Sequence, residues 1–165
     1  MTVDVDVDSA RAAILSAAEF DWTWSTDNVQ RFCEQRGWRI KRELEYGFEV
    51  ETGFTGPGIC MAFSDGKGVV NHIDFTISAK VEPDDMDGMA ELSTALEHLT
   101  DELKPVLGNP VDRTITDSGI RIQINLPQVE IFLSLTSGVV WVNFTSPAYQ
   151  RQQEEWDRQL AMGPP

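Results

Sequence analysis

The apolar residues of this chain repeat at two different spacings, and the order of those spacings restricts the fold more than any other feature. From Trp38 to Val50, apolar side chains mostly occupy every second position and charged residues lie between them. This period predicts strands with one buried and one solvated face. Gly47 is interpreted as a bulge or bend within one long first strand. The same period recurs in residues 59–63, 73–79, 111–116, 120–126, 129–135 and 139–145.

Four other segments have the three- and four-residue spacing of amphipathic helices. Ser9 is the predicted N-cap of a first helix over 9–19, and Ser25 is the N-cap of a second that stops at Gly37. Asp87 is the predicted cap of the longest helix, which ends at Gly108. Residues 149–160 form a polar last helix, with Trp156 as its expected anchor.

The predicted order is therefore two helices, three strands, a long helix, four strands and a helix. This order favours a single α+β domain over 1–165, with residues 1–8 disordered or an edge strand and 161–165 a tail. The polar strand faces favour a mostly antiparallel sheet of about six to seven strands with helices mainly on one face.

The charge of the chain is strongly unbalanced. It has 13 Lys and Arg against 27 Asp and Glu, a net charge of −14. Such a field repels phosphate backbones and anionic lipids and accelerates encounter with a basic protein, although acidity that serves solubility alone is an equal alternative. We therefore expect no nucleic-acid and no membrane partner. Lacking a signal-peptide pattern or an apolar span, the chain is expected to be cytoplasmic.

The sequence contains no pattern typical of a catalytic or metal site. Its two histidines, His72 and His98, fall on polar positions of a strand and a helix, outside any nucleophile motif. Cys33 and Cys60 lack metal-ligand spacing and are expected in the core. Asp85-Met86-Asp87-Gly88 resembles part of a calcium loop, but the flanking ligand positions do not fit. The sequence thus predicts no catalytic residue, no metal and no cofactor, and the protein is not expected to be an enzyme.

Two polar surfaces are the candidate partner-binding sites. The first is an acidic block without Lys or Arg that runs into the long helix, whose candidate contacts are Asp84, Asp85, Asp87, Glu91 and Glu97. A solvated helix face is the simpler interpretation, and steering of a cationic partner is the functional one. The second is a polar sheet face with His72, Asp74 and Arg121, joined by Gln123 and Asn125.

The most distinctive short motif is Asp21-Trp22-Thr23-Trp24-Ser25. Tryptophans two positions apart in an extended segment point to the same side, which favours a structural clamp between the second helix and the sheet. An indole left exposed as an interface anchor is the alternative.

Three segments together carry a family resemblance: Phe20 to Trp24, Cys33 to Arg39, and Leu103 to Pro110. With them the chain resembles a family of short acidic bacterial proteins of unknown function that have a W-x-W motif. It is also similar to immunity proteins of polymorphic toxin systems, including the immunity factors of NAD-degrading necrotizing toxins. The resemblance implies a protein that neutralises a cognate secreted toxin by stoichiometric binding in the cytoplasm. The alternative is a secretion or folding chaperone-like adaptor for an exported protein.

Overall fold

The computed structural model describes residues 2–117 and 119–163. Its elements follow one another in an order close to the predicted one. They are α1 (Val7–Glu19), α2 (Thr26–Gln35), β1 (Arg39–Leu44), β2 (Gly47–Glu51), β3 (Cys60–Ser64), β4 (Val70–Thr76), α3 (Met86–Leu107), β5 (Asp112–Thr116), β6 (Gly119–Asn125), β7 (Glu130–Thr136), β8 (Val139–Thr145) and α4 (Pro147–Met162).

The eight strands form one antiparallel sheet in the order β1-β2-β3-β4-β8-β7-β6-β5. Two four-stranded meanders meet in it where β4 pairs with β8, and α3 carries the chain from the centre of the sheet to the far edge. The α+β class and the antiparallel sheet are confirmed. The strand count is eight because the long first strand was a wrong prediction: residues 38–51 turn at Glu45 and Tyr46 into the hairpin β1–β2.

Gly47 explains that hairpin. Its φ is +147°, and a Cβ atom there would lie 1.9 Å from the carbonyl oxygen of Ala62 on β3. The glycine therefore begins a new strand at a point of close backbone approach rather than bulging an old one.

Helix caps differ from the prediction at two of three sites. Ser25 caps α2 as expected, accepting a hydrogen bond from the backbone N–H of Asn28 at 3.1 Å. The cap of α3 is Asp85 rather than Asp87, since Asp85 Oδ1 accepts from Gly88 N–H at 2.9 Å. Helix α1 begins two residues before Ser9, with Asp6 at the N-cap position. The Asp6 carboxylate instead accepts the N–H of Thr55, which ties α1 to the loop after β2.

Helices α1, α2 and α3 cover one face of the sheet and close the hydrophobic core. An aromatic cluster occupies its centre, where Phe144 contacts Trp22, Phe32 and Phe75 with ring centroids 5.4–6.1 Å apart. Trp22 and Trp24 are both buried and stack on each other at 4.5 Å. Their structural role is confirmed, and Trp24 adds a hydrogen bond from its indole N–H to the carbonyl of Gln128.

The last helix behaves differently from the other three. Helix α4 has no buried residue, and the expected anchor Trp156 is 52% exposed. That prediction was wrong: Tyr149, in the first turn, is the residue that contacts the sheet, over His72. The second half of α4 extends away with Trp156 and Leu160 in solvent. None of the helices in 2–117 and 119–163 combines the length and the hydropathy that a membrane span requires.

Candidate functional site

The face of the sheet opposite α1, α2 and α3 is the candidate site. We call it the open face. Strand alternation places His72 and Asp74 of β4, Trp141 and Asn143 of β8, and Arg121 of β6 on it. Together with the first turns of α4, these strands enclose a concavity of about 510 Å³. Among its lining residues are His72, Asp74, Arg121, Phe132, Ser134, Trp141, Asn143 and Tyr149.

One end of the concavity is a hydrogen-bonded aromatic stack. The His72 ring lies between Phe63 and Tyr149, with centroids 4.8 and 5.7 Å away. Its Nδ1 is 3.1 Å from Asp74 Oδ1, and the same oxygen accepts a hydrogen bond from the Asn143 amide. The ring is therefore held by two stacking contacts and one carboxylate, an arrangement that fixes the orientation of the imidazole.

The other end contains Arg121. Its guanidinium carbon lies 4.3 Å from the centroid of Phe132, a cation–π contact. In the ladder, Arg121 is directly opposite Ser134, and Ser134 is directly opposite Trp141. Side chains opposite each other in a sheet have Cβ atoms about 4.5–5.5 Å apart, so these three side chains form one continuous row.

Glu130 lies beside the concavity, opposite Thr145 in the β7–β8 ladder. Its Oε2 is buried and has no hydrogen-bond partner. Burial, reinforced by the negative charge of Glu154 on α4, raises the pKa of the Glu130 carboxyl, and Arg151 opposes that shift. Glu130 is therefore an acidic group without a hydrogen-bond partner among the described residues, near enough to α4 for the charges of Arg151 and Glu154 to affect it.

The acidic block lies on the opposite side of the sheet from the open face, and much of it is used internally. Glu97 pairs with Arg113 of β5, Glu91 accepts the N–H of Val3, and Asp85 caps α3. Within the described residues, Glu82, Asp84 and Asp87 make no such contact. The acidic block contains no Lys or Arg of its own, but Arg113 of β5 neutralises one of its carboxylates. Fewer carboxylates are therefore free to attract a partner than the sequence indicates.

The two cysteines lie in the core. Burial raises the pKa of the Cys33 thiol to about 12 and that of Cys60 well above its ordinary value, so neither thiol supplies a nucleophilic thiolate near neutral pH. Within residues 2–117 and 119–163 no group of three or more His, Cys, Asp or Glu side chains has the geometry of a metal site.

The structure thus brings three of the sequence-predicted site residues together, His72, Asp74 and Arg121, in one concavity. It separates them from Asp84, Asp85, Asp87, Glu91 and Glu97, which lie at the start of α3 and along it. Gln123 and Asn125 are on the open face and hydrogen-bond to each other.

Sequence reasoning missed the aromatic members of the site, Phe132, Trp141 and Tyr149. Phe132 and Trp141 share their strand parity with polar residues, but an aromatic residue at such a position is also typical of a core, and Tyr149 lies on α4 outside both strands. One signal was available: a tryptophan at 141 alternates with core residues at 140 and 142, on the same parity as Asn143.

The described residues define a class of protein: an α+β fold with four helices and one open face of its antiparallel sheet. A family model matches residues 8–146, which span α1 to β8, and the chain belongs to that family, DUF6301, a family of unknown function. The match ends one residue before α4 begins. Comparison with curated proteins and with solved structures gives no match.

Proposed function

We propose that this protein acts by binding another protein through the open face of its sheet, and that it performs no bond-making of its own. The main observation behind this proposal is that aromatic residues and an arginine lie on the open face. Phe63, Trp141 and Tyr149 surround a polar floor there, with Arg121 at the far end. Aromatic residues and arginine are enriched at protein interfaces, whereas a merely solvated sheet face needs only polar side chains.

The role that fits this binding mode is neutralisation of a cognate secreted toxin, by stoichiometric binding in the cytoplasm. The similarity to immunity proteins noted in the sequence supports this role. The charge of −14 supports it as well, because an acidic inhibitor associates fastest with a basic target. We place the steering charge on the acidic side of α3 and the contact itself on the open face.

The test is co-expression with the product of the neighbouring gene, followed by growth measurement and isolation of the complex by size exclusion. We expect the neighbour to be toxic alone and harmless in a one-to-one complex. Trp141→Ser should weaken that complex by roughly a hundredfold, as loss of a central aromatic anchor does. The matched control is Val106→Ser, an exposed apolar residue on α3, which should leave affinity unchanged. A harmless neighbour, the absence of a complex, or equal effects of the two variants would contradict the proposal.

A chaperone-like adaptor for an exported protein is the second candidate. It is favoured by one observation: the apolar surface of the concavity continues in solvent along α4, where Trp156 and Leu160 share a helix face with Tyr149. An adaptor would release its client with the client's activity intact. An immunity protein would abolish a toxin's activity for as long as the complex lasts, so assaying the partner's activity within the complex separates the two roles.

A further inference from the structure

Three hydrogen-bond donors lie side by side on the open face without an acceptor. They are the indole N–H of Trp141, the hydroxyl of Ser134 and the guanidinium of Arg121, in one row across β8, β7 and β6. None of these three side chains makes a hydrogen bond or ion pair with a described residue, and all three line the concavity. Other polar side chains of this face are used, since His72, Asp74, Asn143 and Thr145 are joined in one network.

Phe132 contacts the guanidinium of Arg121 without using any of its hydrogen-bond donors. The guanidinium carbon lies 4.3 Å from the ring centroid of Phe132, a residue that is only 7% exposed. A cation–π contact uses none of the N–H donors of a guanidinium, and the fork of those donors matches the two oxygens of a carboxylate. The cation is thus held in place while its hydrogen-bonding capacity remains unused.

The negative charge around the row favours a singly charged anion over a multiply charged one. The chain carries −14 overall, and Asp74 and Glu130 lie on the same face, so a multiply charged phosphate meets strong repulsion. A single carboxylate brings one charge, which one arginine balances, and the hydroxyl and indole donors satisfy its remaining lone pairs. A carboxylate is therefore the anion that this row fits.

We infer that the row Trp141, Ser134 and Arg121 is a carboxylate-binding subsite of the open face, which receives an acidic side chain of the partner protein. The inference deepens the proposed function and rests on it for the identity of the partner. An acidic chain is expected to contact basic residues of its partner. Here the overall negative charge attracts a basic partner, but the contact in the subsite is made by an acidic residue of that partner.

The subsite is tested without the partner, by NMR titration of the full chain. The probe is N-acetylglutamic acid α-amide, the matched neutral control is N-acetylglutamine amide, and inorganic phosphate is the competing anion. We expect the acid to move the Trp141 indole and Arg121 Nε–H signals saturably, with a Kd of roughly millimolar order for so small a ligand.

Arg121→Gln should weaken binding at least about tenfold, the cost of losing a charge-assisted pair. Arg31→Gln, an exposed arginine on α2, should leave it unchanged.

Four results would overturn the inference: no saturation, equal shifts with the glutamine amide, undiminished binding by a folded Arg121→Gln variant, or tighter binding of phosphate than of the acid. A second arm uses the partner complex, where Arg121→Glu should abolish binding and a lysine in place of the partner's acidic residue should restore it. If the probe binds and no partner complex forms, the proposed function fails and the subsite stands. If the complex forms and the probe does not bind, the subsite fails alone.

Discussion

The two faces of one sheet show how differently the same strands are used. On β8, Val142 and Phe144 point into the core and are fully buried, while Trp141 and Asn143 point to the open face. On the covered face Phe144 packs against three aromatic rings, whereas on the open face three donors and Glu130 Oε2 have no hydrogen-bond partner among the described residues. Unsatisfied polar groups cost stability wherever water is excluded, so a face that retains them is more consistent with a binding role than with a folding role.

The strongest test of this contrast removes one aromatic ring from each face. Phe144→Ala should lower the free energy of unfolding by about 4 kcal/mol, since it leaves a cavity beneath Trp22, Phe32 and Phe75. Trp141→Ala should cost no more than about 1 kcal/mol, because part of its surface is already in water. Urea unfolding of both variants measures the difference, and equal losses would mean that the open face is part of the core.

The tryptophan motif gives the next largest effect. Trp24→Ala removes the stack on Trp22 and the indole hydrogen bond to Gln128, and should cost about 3 kcal/mol. Trp156→Ala, on the exposed half of α4, is the control and should stay within about 0.5 kcal/mol. If Trp156→Ala proved the more damaging change, the end of α4 would have to be bound in solution.

Glu130 allows a pH test of the open face. Its pKa is raised in the folded state, so the folded protein binds that proton more readily than the unfolded chain does. The resulting destabilisation is present at neutral pH and is relieved as the pH falls through the raised pKa. Glu130→Gln should therefore stabilise the protein slightly at pH 7, and the gain should shrink as the pH falls through the raised pKa and vanish below the ordinary pKa of a glutamate.

Thermal unfolding of wild type and Glu130→Gln across pH 4–8 checks this sign, with Glu49→Gln as the control on a carboxylate that is paired with Arg42. A Glu130→Gln variant that is less stable than wild type at neutral pH would show that the carboxylate has a cationic partner in solution.

The smallest effect concerns the acidic side of α3. Glu97→Gln breaks the ion pair with Arg113, and because both side chains are partly exposed the loss should be no more than about 0.5 kcal/mol and should shrink in high salt. By contrast, reversing Asp84 and Asp87 to lysine should leave stability nearly unchanged and slow association with a basic partner. Stopped-flow association at two salt concentrations separates steering from solvation.

Much of the architecture could be predicted from the sequence, because the spacing of apolar residues depends directly on whether a segment is a strand or a helix. The period of two located seven of the eight strands, and the cap of α2 and the stops of α2 and α3 were signalled by residues that act on their own neighbours, whereas the cap of α3 was placed at the wrong aspartate. The hairpin at Glu45 and Tyr46 was missed because its turn lacks an Asn-Gly or Asp-Gly pair, and Gly47 is explained by the nearby backbone of Ala62.

The site was readable only in part. Parity placed His72, Asp74 and Arg121 on one polar face, and the structure does bring them into one concavity. Parity with Asn143 was the one signal for Trp141. Phe132 and Tyr149 were not readable as site residues, because an aromatic side chain gives the same local signal in a core and on an interface. The acidic block was misleading for a related reason: Arg113, distant in sequence, pairs with Glu97, and Arg11 pairs with Glu102 further along α3.

The sequence by itself determined the class of the fold, the alternation of its strands and the acidity of its field, since each is a sum or a pattern of neighbouring residues. Only the tertiary structure decided which face stays uncovered, which carboxylates are neutralised, and that Trp141, Ser134 and Arg121 form one row. The physical reason is that these properties depend on the order of the strands in the sheet and on contacts between residues far apart in the chain. The spacing of apolar residues within one segment contains no information about strand order or long-range contacts.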